Sequence, residues 1–159
     1  MKRRHLYRDV INFVKEAKRR RSDIVFGGDF IAGFPTEDEK AHQNSMQLIK
    51  EANITYIHVF PYSNRSKTPA SNMPQVPKKV IQKRGKELRD LAKEQHNKFL
   101  LTQIGTTQNV LIENNSVGHA TNFSKIKLKE NVQSSTIVPT KILDIDHEGL
   151  LGTIGNWNR

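Results

Sequence analysis

The chain has 159 residues, with 26 Lys plus Arg against 16 Asp plus Glu, a formal net charge of +10 and 35% apolar residues. That is one ordinary domain or two small ones, long enough to bury a core without a disulfide or structural metal. The zero cysteine count excludes disulfide scaffolds, thiolate zinc sites, cysteine nucleophiles and any iron–sulfur cluster ligated by this chain, and no apolar run approaches the roughly 20 residues that span a bilayer.

Residues 1 to 21 carry nine Lys/Arg and two acids, and Met1 opens onto Lys2-Arg3-Arg4-His5 rather than an apolar signal core, so the sequence reads as soluble and cytoplasmic. Leu6, Val10, Val14 and Ala17 recur at helical spacing, with the basic residues mostly off that stripe. Next comes a strand–helix–strand pattern: an apolar and small-residue strand over 24–32, a polar helix over 37–52 capped by Thr36, and a second strand over 55–60. This is a βαβ unit. Alternation puts Tyr56, His58 and Phe60 on one face of the second strand and Ile57 and Val59 on the other; a packed, hydrogen-bonded His58 outweighs one facing a barrel lumen. Residues 64–77, rich in Ser, Asn, Lys and Pro, read as an exposed connection.

A second basic helix starts at Pro77 and turns Val80, Ile81, Leu88, Leu91, Ala92 and Phe99 inward, and residues 78–98 hold eight Lys/Arg against three acids. Charge alone leaves a polyanion-binding face and an ordinary solvated face equally weighted for both helices. After about residue 100 helical periodicity gives way to short β-type runs at 108–112, 120–128, 136–145 and 150–154, the pattern of a small antiparallel barrel.

Tests for familiar chemistry fail one after another. No two of the six histidines stand three or four residues apart, so no metal site is expected. Gly27, Gly28 and Gly33 fit neither a dinucleotide fingerprint nor a Walker loop, and there is no nucleophile elbow. What stands out is Asp29-Phe30-Ile31-Ala32-Gly33-Phe34-Pro35-Thr36-Glu37, a strand ending in a Gly/Pro turn that passes into a helix, with Val59-Phe60-Pro61-Tyr62-Ser63 ending the next strand at the equivalent edge. Strand C-termini of α/β barrels are where ligands sit, and Gly33 suits close approach of the backbone to one.

Those two segments, the opening Met1-Lys2-Arg3-Arg4-His5 and the continuation Asn64-Arg65-Ser66-Lys67-Thr68-Pro69-Ala70 closely resemble the radical S-adenosylmethionine methylthiotransferases that act on tRNA, and among them the subgroup modifying N6-threonylcarbamoyladenosine beside the anticodon. Gly118-His119-Ala120-Thr121-Asn122-Phe123 and Gly149-Leu150-Leu151-Gly152 resemble, more weakly, the small RNA-binding β-barrel (TRAM) that ends these enzymes.

The resemblance implies an α/β fold: C-terminal βα units of a partial radical SAM (TIM-like) barrel over residues 1–99, then a TRAM-like barrel over 100–159. It implies an S-adenosylmethionine rim made by Asp29, Ile31, Gly33, Phe34, Pro35, Glu37, Phe60, Tyr62 and Ser63, with no catalytic residue assigned. The expected RNA contacts are Arg3, Arg4, Arg65, Asn122, Phe123, Lys125, Lys127 and Lys129, the last three projecting from one face of a strand. The family inserts a methylthio group at C2 of the modified adenine, using two 4Fe-4S clusters, and has Gly where this chain has Thr36 and Lys67. The family's amino-terminal domain and cluster-binding cysteine loop have no counterpart here, so the expectation is a C-terminal piece, inactive alone. Its implied partners are tRNA and the rest of the enzyme. A noncatalytic RNA-binding module is the alternative, favoured by the missing cysteines.

Overall fold

The computed structural model of the chain describes residues 5–155, which divide into two compact units, one up to His96 and one from Asn97. Arg3 and Arg4 lie outside the described residues.

The first unit contains α1 (Tyr7–Arg20), β1 (Gly27–Ala32), α2 (Glu39–Glu51), β2 (Tyr56–Pro61), a short 3-10 turn (Pro69–Asn72) and the start of α3 (Lys78–Gln103). β1 and β2 pair in parallel, from Gly27 beside Tyr56 to Ala32 beside Pro61, with α2 as the crossover. Val14, Ala32, Ile49, Ala52, Ile54, Leu88 and Leu91 form the core, backed by the half-buried Phe26, Phe30, Ile57 and Val59. Because strand side chains alternate, sending Phe30, Ile57 and Val59 to the helices leaves Asp29, Ile31, His58 and Phe60 on the opposite, exposed face.

Three local expectations are corrected. Leu6 is not on the buried stripe of α1 but at its N-cap, 73% exposed, with its backbone N–H donating to Asp9 Oδ2 at 2.6 Å. β1 starts at Gly27 rather than 24, so it is a short, half-open strand. α2 is capped by Asp38, whose Oδ1 accepts the Ala41 N–H at 2.7 Å, and not by Thr36. The Glu37 N–H bonds the Phe34 carbonyl at 2.7 Å, closing a turn that spends Thr36 and Glu37 before the helix begins.

The second unit is a closed barrel of β3 (Thr107–Asn114), β4 (Val117–Ala120), β5 (Lys125–Leu128), β6 (Ile137–Ile145) and β7 (Leu150–Ile154), in the order β3-β4-β5-β7-β6. It is not wholly antiparallel: β5 and β7 run parallel, and their pairing from Ile126 beside Leu150 to Leu128 beside Gly152 closes the barrel. The run 120–128 is not one strand, since residues 121–124 turn the chain between β4 and β5. Val110, Ile112, Ala120, Ile126, Leu128, Ile142 and Leu150 fill the interior, joined by Leu100 from the end of α3. Closure removes every free edge from this sheet.

Candidate cofactor rim and nucleic-acid face

The rim follows from the register of two short strands. Parallel pairing sets Asp29 beside His58 and Ile31 beside Phe60, all on the open face, where Ile31 is 37% and Phe60 51% exposed. An exposed aliphatic–aromatic row next to a carboxylate and an imidazole suits a ligand with a flat apolar part and a cationic part. His58 is therefore not the packed histidine that residue-level weighing favours. Beyond the strands, the Tyr62 N–H donates to the Ala32 carbonyl at 2.8 Å, and the Phe34 and Tyr62 rings meet edge to face at 5.5 Å. The Tyr62 hydroxyl is buried without a hydrogen-bond partner among the described atoms. Pro35 is half-buried, Ser63 and Arg65 are exposed, and the Arg65 carbonyl accepts from Thr68 Oγ1 at 2.8 Å.

Two rim residues have other work. Gly33 has φ +79°, and a Cβ there would stand 2.4 Å from Ile81 Cγ1, so the close approach it permits is that of α3, not of a ligand. The Glu37 side chain is only 9% exposed: Oε2 accepts the Gly33 N–H at 2.6 Å and Arg84 Nη1 at 3.0 Å, while Nη1 also donates to the Glu37 carbonyl at 2.7 Å. Glu37 thus braces the turn from within. Arg84, 7% exposed, also reaches Glu39 Oε2 at 3.3 Å. Residue-type reasoning missed Arg84 because it sits in a Lys/Arg-rich run, yet Ile81, Arg84, Leu88 and Leu91 share one helical stripe. That spacing was the available signal. His42, fully buried, is a second missed residue; its Nε2 lies 2.8 Å from Glu87 Oε2.

Lys67 explains one departure from the family pattern: its φ is +66°, where a side chain is disfavoured and glycine is not. Thr36 is not among the positive-φ residues, so its backbone conformation does not call for glycine. Lys67→Gly is expected to stabilise the first unit by a few tenths to about 1 kcal/mol, the left-handed penalty less glycine's greater unfolded-state freedom. Urea midpoints check this; a loss of stability overturns it.

Burial also tunes His96, whose ring lies 5.4 Å from that of Tyr56 and whose pKa desolvation pushes below the ordinary 6.5. A depressed histidine binds fewer protons folded than unfolded, so its contribution is complete above the unfolded 6.5 and is lost as pH falls. Stability of the first unit should decline from pH 7.5 to 5, and His96→Gln should flatten that decline; an equal slope in the variant refutes the assignment.

On the barrel, β5 alternates exposed and buried positions, so Lys125 and Lys127 point outward while Ile126 and Leu128 fill the core, and Lys129 is exposed just beyond. Phe123 is 74% exposed. Asn122 is not: its Nδ2 donates to Gln103 Oε1 at 2.9 Å and its Oδ1 accepts the Ser124 N–H at 3.1 Å, all within the barrel unit. Buried and bonded on both ends of its amide, Asn122 shapes the turn. On α1, Arg19 and Arg20 pair with Glu16, and Arg21 with Asp23, all at the surface. Such pairs leave the basic end of α1 partly neutralised.

The chain is similar to known proteins along most of its length. Over 146 residues, 92% of this chain, it is 42% identical to the threonylcarbamoyladenosine tRNA methylthiotransferase MtaB of Rickettsia prowazekii. Over 168 residues it is 32% identical to the tRNA-2-methylthio-N(6)-dimethylallyladenosine synthase of Ehrlichia chaffeensis, covering 98% of this chain. The MtaB of Chlamydia pneumoniae is 29% identical over 97% of it. The homologues of this chain are tRNA methylthiotransferases. It spans only 35% to 38% of the length of these three methylthiotransferases. No protein-family model matches the chain. Both kinds of methylthiotransferase match, and the closed five-stranded barrel is consistent with the TRAM-like domain the resemblance implies. Among the described residues no three His, Asp or Glu converge as a metal site, and no helix is long and apolar enough to cross a membrane.

Proposed function

We propose that this chain is the C-terminal portion of a tRNA methylthiotransferase acting on N6-threonylcarbamoyladenosine next to the anticodon. The first unit supplies part of an S-adenosylmethionine rim from the last βα units of a partial TIM-like barrel, and residues from about 100 onward bind RNA. The reading places the protein in the cytoplasm with tRNA, and with the remainder of the enzyme as its partner. S-adenosylmethionine, when bound, supplies the deoxyadenosyl radical of the family's reaction. Toward it this chain's residues bind and orient: Ile31 and Phe60 give an apolar seat and Asp29 a carboxylate for a cationic group, while the braced Gly33–Glu37 turn keeps Phe34 and Tyr62 at the edge. The unpartnered, buried Tyr62 hydroxyl is a free hydrogen-bonding group at that edge. Clusters do not fit this chain, which offers no thiolate, so no step is routed through them and the chain alone should transfer no methylthio group.

The observation that carries the RNA half is the outward row of Lys125, Lys127 and Lys129 on a closed barrel. If each meets a phosphate, replacing all three with Ala should weaken tRNA binding and lower the slope of log K against log salt by roughly two to three units, at ~0.7–0.9 per contact. An unchanged slope would make the row an ordinary solvated face. A noncatalytic RNA-binding module remains the second reading, favoured by the absence of cysteine. S-adenosylmethionine shifting the NMR signals of Ile31 and Phe60 supports the first; RNA binding without such shifts supports the second.

A further inference from the structure

The turn between β4 and β5 is built around a residue that ordinarily would not be there. The Phe123 N–H bonds the Ala120 carbonyl at 2.9 Å, and the Ala120 N–H bonds the Ser124 carbonyl at 3.0 Å. This is a tight hairpin whose last loop residue adopts φ +63°, a left-handed position that glycine or asparagine fills at little cost. Here it holds a phenylalanine, and the ring is not packed away but 74% exposed. A bulky side chain held at positive φ and left in solvent has neither a local nor a packing reason.

Beneath the ring the turn is fastened. Asn122 is 8% exposed, and its amide ties Gln103 Oε1 to the Ser124 N–H, while Gln108 Nε2 donates to the same Gln103 oxygen at 3.1 Å. Two residues beyond the ring the row Lys125, Lys127, Lys129 begins, each step along the strand being about 6.6 Å, comparable with successive phosphates of an extended nucleic-acid strand. An aromatic face followed by regularly spaced cations suits a base and the backbone that trails from it.

We propose that Phe123 is a stacking platform for an unpaired RNA base, and that Asn122, held by Gln103, is the positioning residue that keeps the ring presented. The inference rests on the RNA reading above and narrows it to a single-stranded or loop nucleotide. A duplex offers its bases no such access, whereas its phosphates remain open to the lysines. A protein partner for the same ring is the competing outcome.

The test uses the full chain and two fluorescent RNAs with equal numbers of phosphates, one single-stranded and one a blunt duplex. Phe123→Gly should weaken single-strand binding by about 5- to 150-fold, leave the salt slope and duplex binding unchanged, and raise the melting temperature of the barrel, because glycine relieves the left-handed backbone. Phe123→Trp should restore single-strand affinity. Asn122→Ala and Gln103→Leu, which keep the ring, should lose single-strand affinity while still binding duplex. Equal single-strand affinity for Phe123→Gly and the unaltered chain overturns the platform and leaves a protein contact as the ring's use. If both ring-retaining variants lose the two RNAs alike, the positioning role is overturned and the amide bond is structural only. Failure of the unaltered chain to bind either RNA instead defeats the RNA reading itself, and this inference with it.

Discussion

Arg84→Ala should destabilise the first unit by about 3–5 kcal/mol, the range for removing one partner of a buried ion pair. The size follows from what is left behind. Glu37, 9% exposed, would keep only the Gly33 N–H on the oxygen that Arg84 now shares, and its carbonyl would lose a 2.7 Å donor. The cost reaches the rim, because the same carboxylate ties Gly33 to the start of α2. Arg19→Ala, which removes a two-pronged surface ion pair with Glu16, is the matched control and should change stability by less than about 1 kcal/mol. Arg84→Met combined with Glu37→Gln should cost less than the two changes summed, since the double variant leaves no unpaired charge. Urea unfolding of the unaltered chain, these variants and the single Arg84→Met and Glu37→Gln changes decides the matter, and equal shifts for Arg84→Ala and Arg19→Ala would show that the buried pair carries no special weight.

Gly118→Ala should disrupt the barrel, with a loss of about 3 kcal/mol or more, at or beyond the upper end of what overpacking usually costs. A Cβ at 118 would stand 2.0 Å from the Leu111 carbonyl oxygen and 2.7 Å from its carbon, and both belong to a paired backbone that cannot swing aside. β3 and β4 meet there, with Gly118 beside Ile112 and His119 beside Leu111, so any relief must shift the register that closes the sheet. Gly105 gives the comparison: its φ is +81° but a Cβ would meet nothing within 4 Å, so Gly105→Ala should cost only the left-handed penalty less glycine's unfolded-state freedom, a few tenths to about 1 kcal/mol. Amide exchange across β3 and β4 reads the difference. Protection of the amides that bond between β3 and β4 surviving intact in Gly118→Ala would show that the barrel yields more easily than its geometry indicates.

Periodicity and residue chemistry determined much of this protein without any coordinates. The βαβ order, the outward lysines of β5, the inward Leu88 and Leu91, and the limits of β7 at Leu150 and Ile154 all follow from local alternation or helical spacing, which act within a few residues. The two turn motifs and their family resemblance were likewise legible, because they are contiguous. What only the tertiary structure decided depends on pairs far apart in the chain. Arg84 reads as one more solvated cation until α3 packs it against Glu37, 47 residues earlier, and Asn122 reads as an exposed amide until Gln103 takes it up, 19 residues away. The parallel β5–β7 pairing that closes the barrel, the collision of any Gly33 side chain with Ile81, and the exposure of His58 are of the same kind. Desolvation is the physical reason: whether a polar group stays in water or must find a partner is settled by which distant segment covers it, and local pattern carries no record of that.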